Sequence, residues 1–548
     1  VTLISRYVAW KFHLPPAETY AVTHTRNLPV PMPDGTILLA DHYFPSAKPG
    51  CPTVLIRSPY GRAGLSFDLV ARPLAERGFQ VLVQSCRGTF GSGGKLFPFR
   101  DEQADGLATI AWLRQQPWYT GVFAMFGPSY LSYVQWAVGD QAGPELKALI
   151  PIVTAAEFRS VAYPGEGFSL DTMVSWSQGM AFRDEAPLKM FFSRAQHARQ
   201  LDKALMHLPL NQADQVAAGV QVDFYQEWLR HNAPGDPWWD EMDHRGAVSR
   251  VTVPVHLISG YYDVLFQTTL DCYQRLRQAG KTPYLTVGPW THGDPDLQPV
   301  MMNETIHWLR AHLLDDRSGL RKDPVRVYVM GSGACRDFAA WPPPGYLPQP
   351  WYLQGQRGLS PVRGELAQSE PDRYRFDPAD PTPSVGGTSL TANSGPRDNR
   401  KLESRQDVLV YTSAPLERDV EIIGQVRVEL YVKSSLQNTD FFVRLCDVFP
   451  DGKSINLSDA IIRLGPEQFK LAENGILKVE FDLWPTANCF KIGHCVRVQV
   501  SSGSHPRYTR NNGSGEPLGS AVELRPADQQ VFHDPLHPSA VFLPVKQD

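Results

Sequence analysis

Five short apolar runs punctuate residues 35 to 154: ILLADHYF, TVLIR, FQVLVQS, VFAMFG and KALIPIV. Runs this short, apolar nearly throughout rather than at alternate residues, fit strands covered on both faces. Between FQVLVQS and VFAMFG lies DEQADGLATIAWLRQQP, in which Leu107, Ile110, Ala111 and Leu113 recur at helical spacing. Strand, helix, strand in that order implies a parallel sheet with right-handed crossovers, and so an α/β fold.

The pattern stops after Val153 and resumes at VPVHLISGYYD (253–263) and PYLTVGPWTHG (283–293), leaving an insertion of about 100 residues between two sheet strands. Within it, RAQHARQLDKALMHL and VDFYQEWLRH carry apolar residues three and four apart, and Met, Trp and Phe are frequent. The insertion therefore reads as helical, either a roof over a pocket at the strand ends or a plain packing layer. From Asp337 the proline-rich WPPPGYLPQPWYLQ and a polar Gly/Pro stretch to about residue 404 mark an inter-domain boundary. Beyond it VRVEL (426–430), VEFDL (479–483) and VRVQV (496–500) alternate apolar with polar residues, the period of half-buried antiparallel strands, and a jelly-roll β-sandwich is the economical reading. The expected division is residues 1–154 and 248–340 for the α/β domain, 155–247 for a helical cap, and 341–548 for the β-domain.

A chain of 548 residues exceeds one core, at roughly 100–200 residues per domain. Its 42% hydrophobic, 11% aromatic and 20% charged residues are those of an ordinary globular protein. A formal charge of -4, from 53 basic and 57 acidic side chains, supplies no basic stripe for nucleic acid, so the expected partner is a small molecule. No apolar run reaches the ~18 residues a membrane helix needs. LISRYVAWKFHL at the N-terminus is interrupted by Arg6 and Lys11 and has no small-residue cleavage site, so it is not read as a signal peptide. Seven scattered cysteines form no C-x-x-C pair, and are expected to be buried free thiols in a reducing, cytoplasmic compartment. Self-assembly into a homo-oligomer stays open.

The chemistry concentrates at strand ends. VFAMFG runs into Gly127-Pro128-Ser129-Tyr130 and then an apolar stretch suited to a helix. A sharp strand-to-helix turn of this kind holds a serine hydroxyl clear of the sheet, with the N–H of the next residue, Tyr130, facing a developing oxyanion. A serine merely capping a helix is the competing reading. Asp263 follows the strand VHLISGYY and His292 follows YLTVG, both just past strand C-termini, where open α/β sheets bind ligands. The order Ser, Asp, His is that of α/β-hydrolases. Strand TVLIR leads into Ser58-Pro59-Tyr60-Gly61, from which a tyrosine hydroxyl can supply a second oxyanion donor. Gly91-Ser92-Gly93-Gly94-Lys95 lacks the first Gly and final Ser/Thr of a phosphate loop, and the Glu304/His307 pair lacks partners for a metal, so no cofactor or metal is expected.

Taken together, RSPYGR, QSCRGTFGSGG, GPSYLSYVQW, GYYDVL and GPWTHG, with DPADPTPSVGG, NTDFFVRLCDVFPDGKSI and VQVSSGSHPRY further on, resemble the cocaine esterase family almost end to end. That family is similar in turn to the X-Pro dipeptidyl-peptidases and the α-amino-acid ester hydrolases. The resemblance implies an α/β-hydrolase fold with an inserted helical cap and a C-terminal, galactose-binding-like jelly roll. It implies Ser129 as nucleophile, Asp263 and His292 as acid and base, and Tyr60 with the Tyr130 amide as oxyanion donors. Since the family's pocket lies where three domains meet, Trp176, Leu265, Phe441 and Phe442 are expected in its apolar wall. Two departures stand out: Ser132 occupies the last position of the family's G-x-S-Y-x-G, and Ser85-Cys86-Arg87-Gly88 replaces Asp-x-Arg-Gly. The stretch around Ala162 is less aromatic than in some relatives, which implies a different or wider acyl pocket.

The expected function is that of a serine hydrolase cleaving carboxylic esters through an acyl-enzyme. The alternatives are an X-Pro dipeptidyl-peptidase or amidase, an α-amino-acid ester hydrolase and, from another class, a catalytically idle carbohydrate-binding protein.

Overall fold

A computed structural model describes residues 2–547 apart from 47, 49, 186 and 365–368. Among the described residues, ten strands form the first sheet: β1 (Val22–Pro31), β2 (Ile37–Pro45), β3 (Thr53–Ser58), β4 (Gln80–Ser85), β5 (Phe123–Pro128), β6 (Leu146–Ile152), β7 (His256–Tyr262), β8 (Tyr284–Thr291), β9 (Val325–Val329) and β10 (Ala334–Phe338). Their spatial order is β1-β2-β4-β3-β5-β6-β7-β8-β9-β10. From β4 through β9 every neighbouring pair is parallel. Every residue of β3, β4 and β7 is buried, the two-sided cover that their continuous apolar runs require.

ILLADHYF, by contrast, is antiparallel to both its neighbours, β1 and β4. The cause is local. Asp34 accepts the Thr36 N–H at 3.0 Å and Gly35 takes φ 83°, so the chain reverses within a few residues instead of crossing over through a helix.

The chain leaves this sheet after β6 and returns at β7, and helices fill the interval, among them Leu170–Ala181, Pro187–Met206 and Asp223–Arg230. The last presents Phe224, Tyr225, Trp228 and Leu229 to the interior, as its apolar spacing predicts.

From residue 346 onward the described elements are almost entirely strands, and thirteen of them join in a second sheet system. Strands 427–434 and 477–482 bury alternate residues. Strand Thr439–Val448 is buried along its whole length, so both of its faces are covered. The proline-rich passage proves to be a strand in its second half: Tyr346–Gln354 pairs antiparallel with Ala540–Lys546. Pro348 and Pro350 have the same parity, so both missing N–H groups fall on the side away from that partner, where no ladder bond is lost. The two sheets are joined through Met330, just past β9, whose N–H donates to Ala487 O and whose carbonyl accepts from Cys489 N–H. All seven thiols are unpaired and most are buried, but Cys335 is exposed.

Candidate active site

Four parallel strands each deliver one polar side chain just past their C-terminal ends: β3 delivers Tyr60, β5 Ser129, β7 Asp263 and β8 His292. Ser129 sits at φ 60°, ψ −125°, a left-handed conformation rare for a residue with a side chain. Its amide donates to Ile152 O of β6 at 2.9 Å, and helix Tyr130–Val138 begins at the next residue, so the turn is clamped on both sides. The turn is also tight: a Cβ added to Gly127 would fall on Cβ of Leu131. Leu131 can therefore stand where the common elbow has its second glycine only because Gly127 has no side chain. Ser132 is accommodated as well, its hydroxyl donating to Ser129 O.

His292 Nε2 lies 3.2 Å from Ser129 Oγ, and its Nδ1 lies 2.9 Å from Asp263 Oδ2. Asp263 is fully buried, and its other oxygen accepts the Leu265 N–H at 2.7 Å, which fixes the carboxylate. Burial opposes protonation of His292, but the Asp263 charge and hydrogen bond outweigh it, and the imidazole pKa is raised. Trp290 supports this corner. Its ring fills the space over Gly288, where a Cβ would come within 2.6 Å of the indole.

Trp176 Nε1 donates to the Tyr60 hydroxyl at 3.1 Å. Although 39% of Tyr60 is open to the cavity, the enclosing protein raises its hydroxyl pKa by burial, partly offset by hydrogen bonds with Trp176 and Ser129. The Tyr130 N–H is the first of its helix and has no carbonyl of that helix to bond. The Tyr130 ring is anchored separately: its hydroxyl donates to Glu102 Oε1 and accepts from Phe99 N–H, each at 2.8 Å.

These groups open onto a cavity of about 520 Å³. Trp176 and Leu265 line it as expected, whereas Phe441 and Phe442 do not. Phe441 is fully buried in the β-domain core, and Phe442 packs with Ile461 and Tyr508. The β-domain instead contributes Leu390. It was missed because it lies in the polar stretch read as a boundary, although it is the one large apolar residue between Val385 and Leu402. Phe99 and Phe158, stacked at 4.2 Å between ring centroids, also form the wall without any periodic signal in the sequence. Near Ala162 it is Val161 that reaches the cavity.

An α/β sheet with serine, histidine and aspartate in hydrogen-bonded succession at its strand ends defines a serine hydrolase. Residues 34–294 match the family model described as X-Pro dipeptidyl-peptidase (S15 family), and residues 319–541 match the X-Pro dipeptidyl-peptidase C-terminal non-catalytic domain. Cocaine esterase of Rhodococcus sp. (strain MB1 Bresler) is 32% identical over 95% of this chain and 98% of that protein. The chain belongs to the family of serine hydrolases that cocaine esterase represents. A putative serine esterase of Mycobacterium bovis is 22% identical, over 82% of this chain and 80% of its own. Among solved structures, an aminopeptidase from a marine sediment Thaumarchaeota archaeon has a TM-score of 0.83, covering 97% of this chain and 98% of its own. An α-amino acid ester hydrolase has a TM-score of 0.81 at the same coverage, and both are 22% identical, a likeness of fold.

Proposed function

We propose that the protein hydrolyses carboxylic esters of uncharged, largely apolar acids or alcohols, with Ser129 as nucleophile. His292 takes the Ser129 proton as Oγ attacks the carbonyl carbon, and Tyr60 Oη and the Tyr130 N–H donate to the oxyanion. His292 then passes its proton to the departing alkoxide, leaving an acyl-Ser129. Water, deprotonated by His292, attacks that ester, and the acid leaves as the proton returns to Ser129. Asp263 holds the imidazole in the tautomer that presents Nε2 to the serine and stabilises the imidazolium.

The observation that carries this reading over its rivals is the cavity lining, which among the described residues includes no Asp, Glu, Lys or Arg. A peptidase or ester hydrolase that grips a free α-amine needs a carboxylate there, since a buried ammonium without a counter-charge is costly. The esterase names of the relatives point the same way. An idle sugar-binding protein would have no use for the strained Ser129 backbone or the aligned imidazole. The test is nitrophenol release from short-chain nitrophenyl esters, beside a dipeptide anilide with proline at the cleaved bond. Ester turnover that Ser129→Ala abolishes supports the proposal. Anilide turnover alone, or equal rates in the variant, refutes it.

The strand and helix distribution supports a division at residues 154, 247 and 340 into a split α/β domain, a helical cap and a β-domain. No helix among the described residues is long and apolar enough to cross a membrane. The unpaired thiols favour a reducing, cytoplasmic setting.

A further inference from the structure

Leu390 reaches the cavity from a loop that is closed at its base and tied at its tip. At the base Gly387 and Gly395 exchange two backbone hydrogen bonds of 2.9 Å. Gly395 lies against Thr291, the neighbour of His292: a Cβ there would be 3.2 Å from Thr291 Cγ2. At the tip the Ser389 hydroxyl donates to Asp171 Oδ2, and Ser389 Oγ accepts the Thr391 N–H at 3.0 Å. Asp171 and Ser389 are each only 2% exposed.

Asp171 belongs to the cap helix Leu170–Ala181, and that helix is itself docked on the β-domain, with the Asp171 N–H donating to Pro506 O at 3.0 Å. Thr172 and Met173, next along the helix, line the cavity, and one turn further Trp176 holds the Tyr60 hydroxyl. One short stretch of cap helix therefore touches both the oxyanion tyrosine and the loop bearing Leu390. A carboxylate this deeply buried calls for a partner. The nearby Arg507 does not bond it directly, being held by Asp459. The hydroxyls that bond the Asp171 carboxylate are that of Ser389 at the tip and that of Thr172, the latter at 3.0 Å.

We propose that Asp171 is a positioning residue for substrate selection: by holding Ser389 it fixes Leu390 in the cavity wall and so limits the length of chain the site admits. This rests on the ester hydrolase reading above. The β-domain thereby takes part in selecting the substrate while supplying no reacting atom.

The test compares nitrophenyl acetate with nitrophenyl decanoate on the full chain. Leu390→Ala, which removes the wall, is expected to raise the decanoate-to-acetate ratio of kcat/KM by roughly tenfold, the scale on which pockets discriminate methylenes. Ser389→Ala is expected to raise that ratio in the same direction while leaving kcat for acetate within about twofold, since it touches no cavity atom. Asp171→Ala should raise the ratio in the same direction. Asp171→Asn, which keeps an acceptor oxygen, should restore the ratio. A ratio that moves in Leu390→Ala but not in Ser389→Ala overturns the positioning role, and a ratio unmoved in both overturns the role of Leu390. Amide hydrogen exchange of residues 388–394 gives a reading independent of turnover: faster exchange in Asp171→Ala, which leaves the bond from Thr391 N–H to Ser389 in place, is expected, and unchanged exchange refutes the tie. If the wild-type chain hydrolyses neither ester, the ester reading fails, and the exchange result still decides whether Asp171 holds the loop.

Discussion

The Trp176 indole N–H donates to the Tyr60 hydroxyl at 3.1 Å, so a cap residue orients a donor that belongs to the α/β sheet. An indole nitrogen can only donate. Tyr60 must therefore accept on that side, which leaves its own proton free to point at the serine and at an oxyanion. Tyr60→Phe removes the donor and should lower kcat by on the order of 100 to 1000-fold with little change in KM. Trp176→Phe keeps a ring in the cavity wall and removes only the orienting bond. At about 1 kcal/mol for one such bond it should cost roughly fivefold in kcat. Steady-state kinetics on a short-chain ester check both, and equal losses in the two variants would contradict this division of labour.

That relationship also marks where sequence reading stops. That Ser129, Asp263 and His292 come together was legible because each follows a strand whose apolar run is visible, and because their chain order fits the fold. Tyr60 was legible for the same reason. Trp176 could be assigned to the cavity but not to Tyr60, since the two are 116 positions apart and meet only when the cap folds over the strand ends. Phe441 and Phe442 misled because their strand is covered on both sides, and alternation cannot say which cover is the cavity. Leu390 sits in a loop without periodicity, and its position depends on a hydrogen bond to a helix 218 residues away in sequence.

The pH dependence of turnover should carry the sign of the His292 environment. Only the neutral imidazole can accept the serine proton, so kcat/KM falls as pH drops through the histidine pKa. Because Asp263 raises that pKa against the effect of burial, the acid limb should lie above the ordinary value of 6.5. In Asp263→Asn the lowering by burial stands alone, and the limb should move below 6.5. The rate at the plateau should fall by on the order of 10,000-fold, because the wrong tautomer is then favoured. A pH profile of kcat/KM for both proteins tests this, and a limb that does not move would remove Asp263 from the role given to it.

The elbow predicts an interaction between two neighbours. A methyl group on Gly127 collides with Cβ of Leu131, so Gly127→Ala should cost about 1–3 kcal/mol of stability and also misplace Ser129, depressing kcat. Leu131→Gly in the same chain removes the colliding atom and brings the spacing back to the common Gly-x-Ser-x-Gly. The double variant should therefore recover part of the kcat that Gly127→Ala loses, the remainder reflecting the positive φ of 153° that an alanine still strains. Independent, additive losses in the four-member cycle would show that the collision does not set the turn.

Beneath the elbow lies a charge that water cannot reach. Arg57 is fully buried, with Nη1 2.9 Å from Glu102 Oε2 and Nε donating to Gln84 Oε1 at 2.8 Å. The other oxygen of Glu102 accepts the Tyr130 hydroxyl, which ties this pair to the first residue after Ser129. Glu102→Gln preserves shape and much of the hydrogen bonding but strands the guanidinium, and breaking a buried pair in this way costs about 3–5 kcal/mol. The thermal unfolding midpoint should drop by several degrees, while kcat of the folded protein changes little, because the Gln carbonyl can still accept the Tyr130 hydroxyl. Arg57→Met combined with Glu102→Leu removes both charges, so no ion is left without a partner. It should be markedly more stable than Glu102→Gln, while kcat falls because a leucine in place of Glu102 offers the Tyr130 hydroxyl no acceptor. Calorimetry alongside ester kinetics separates the two effects. A double variant as unstable as the single one would mean that the pair serves packing and not charge compensation.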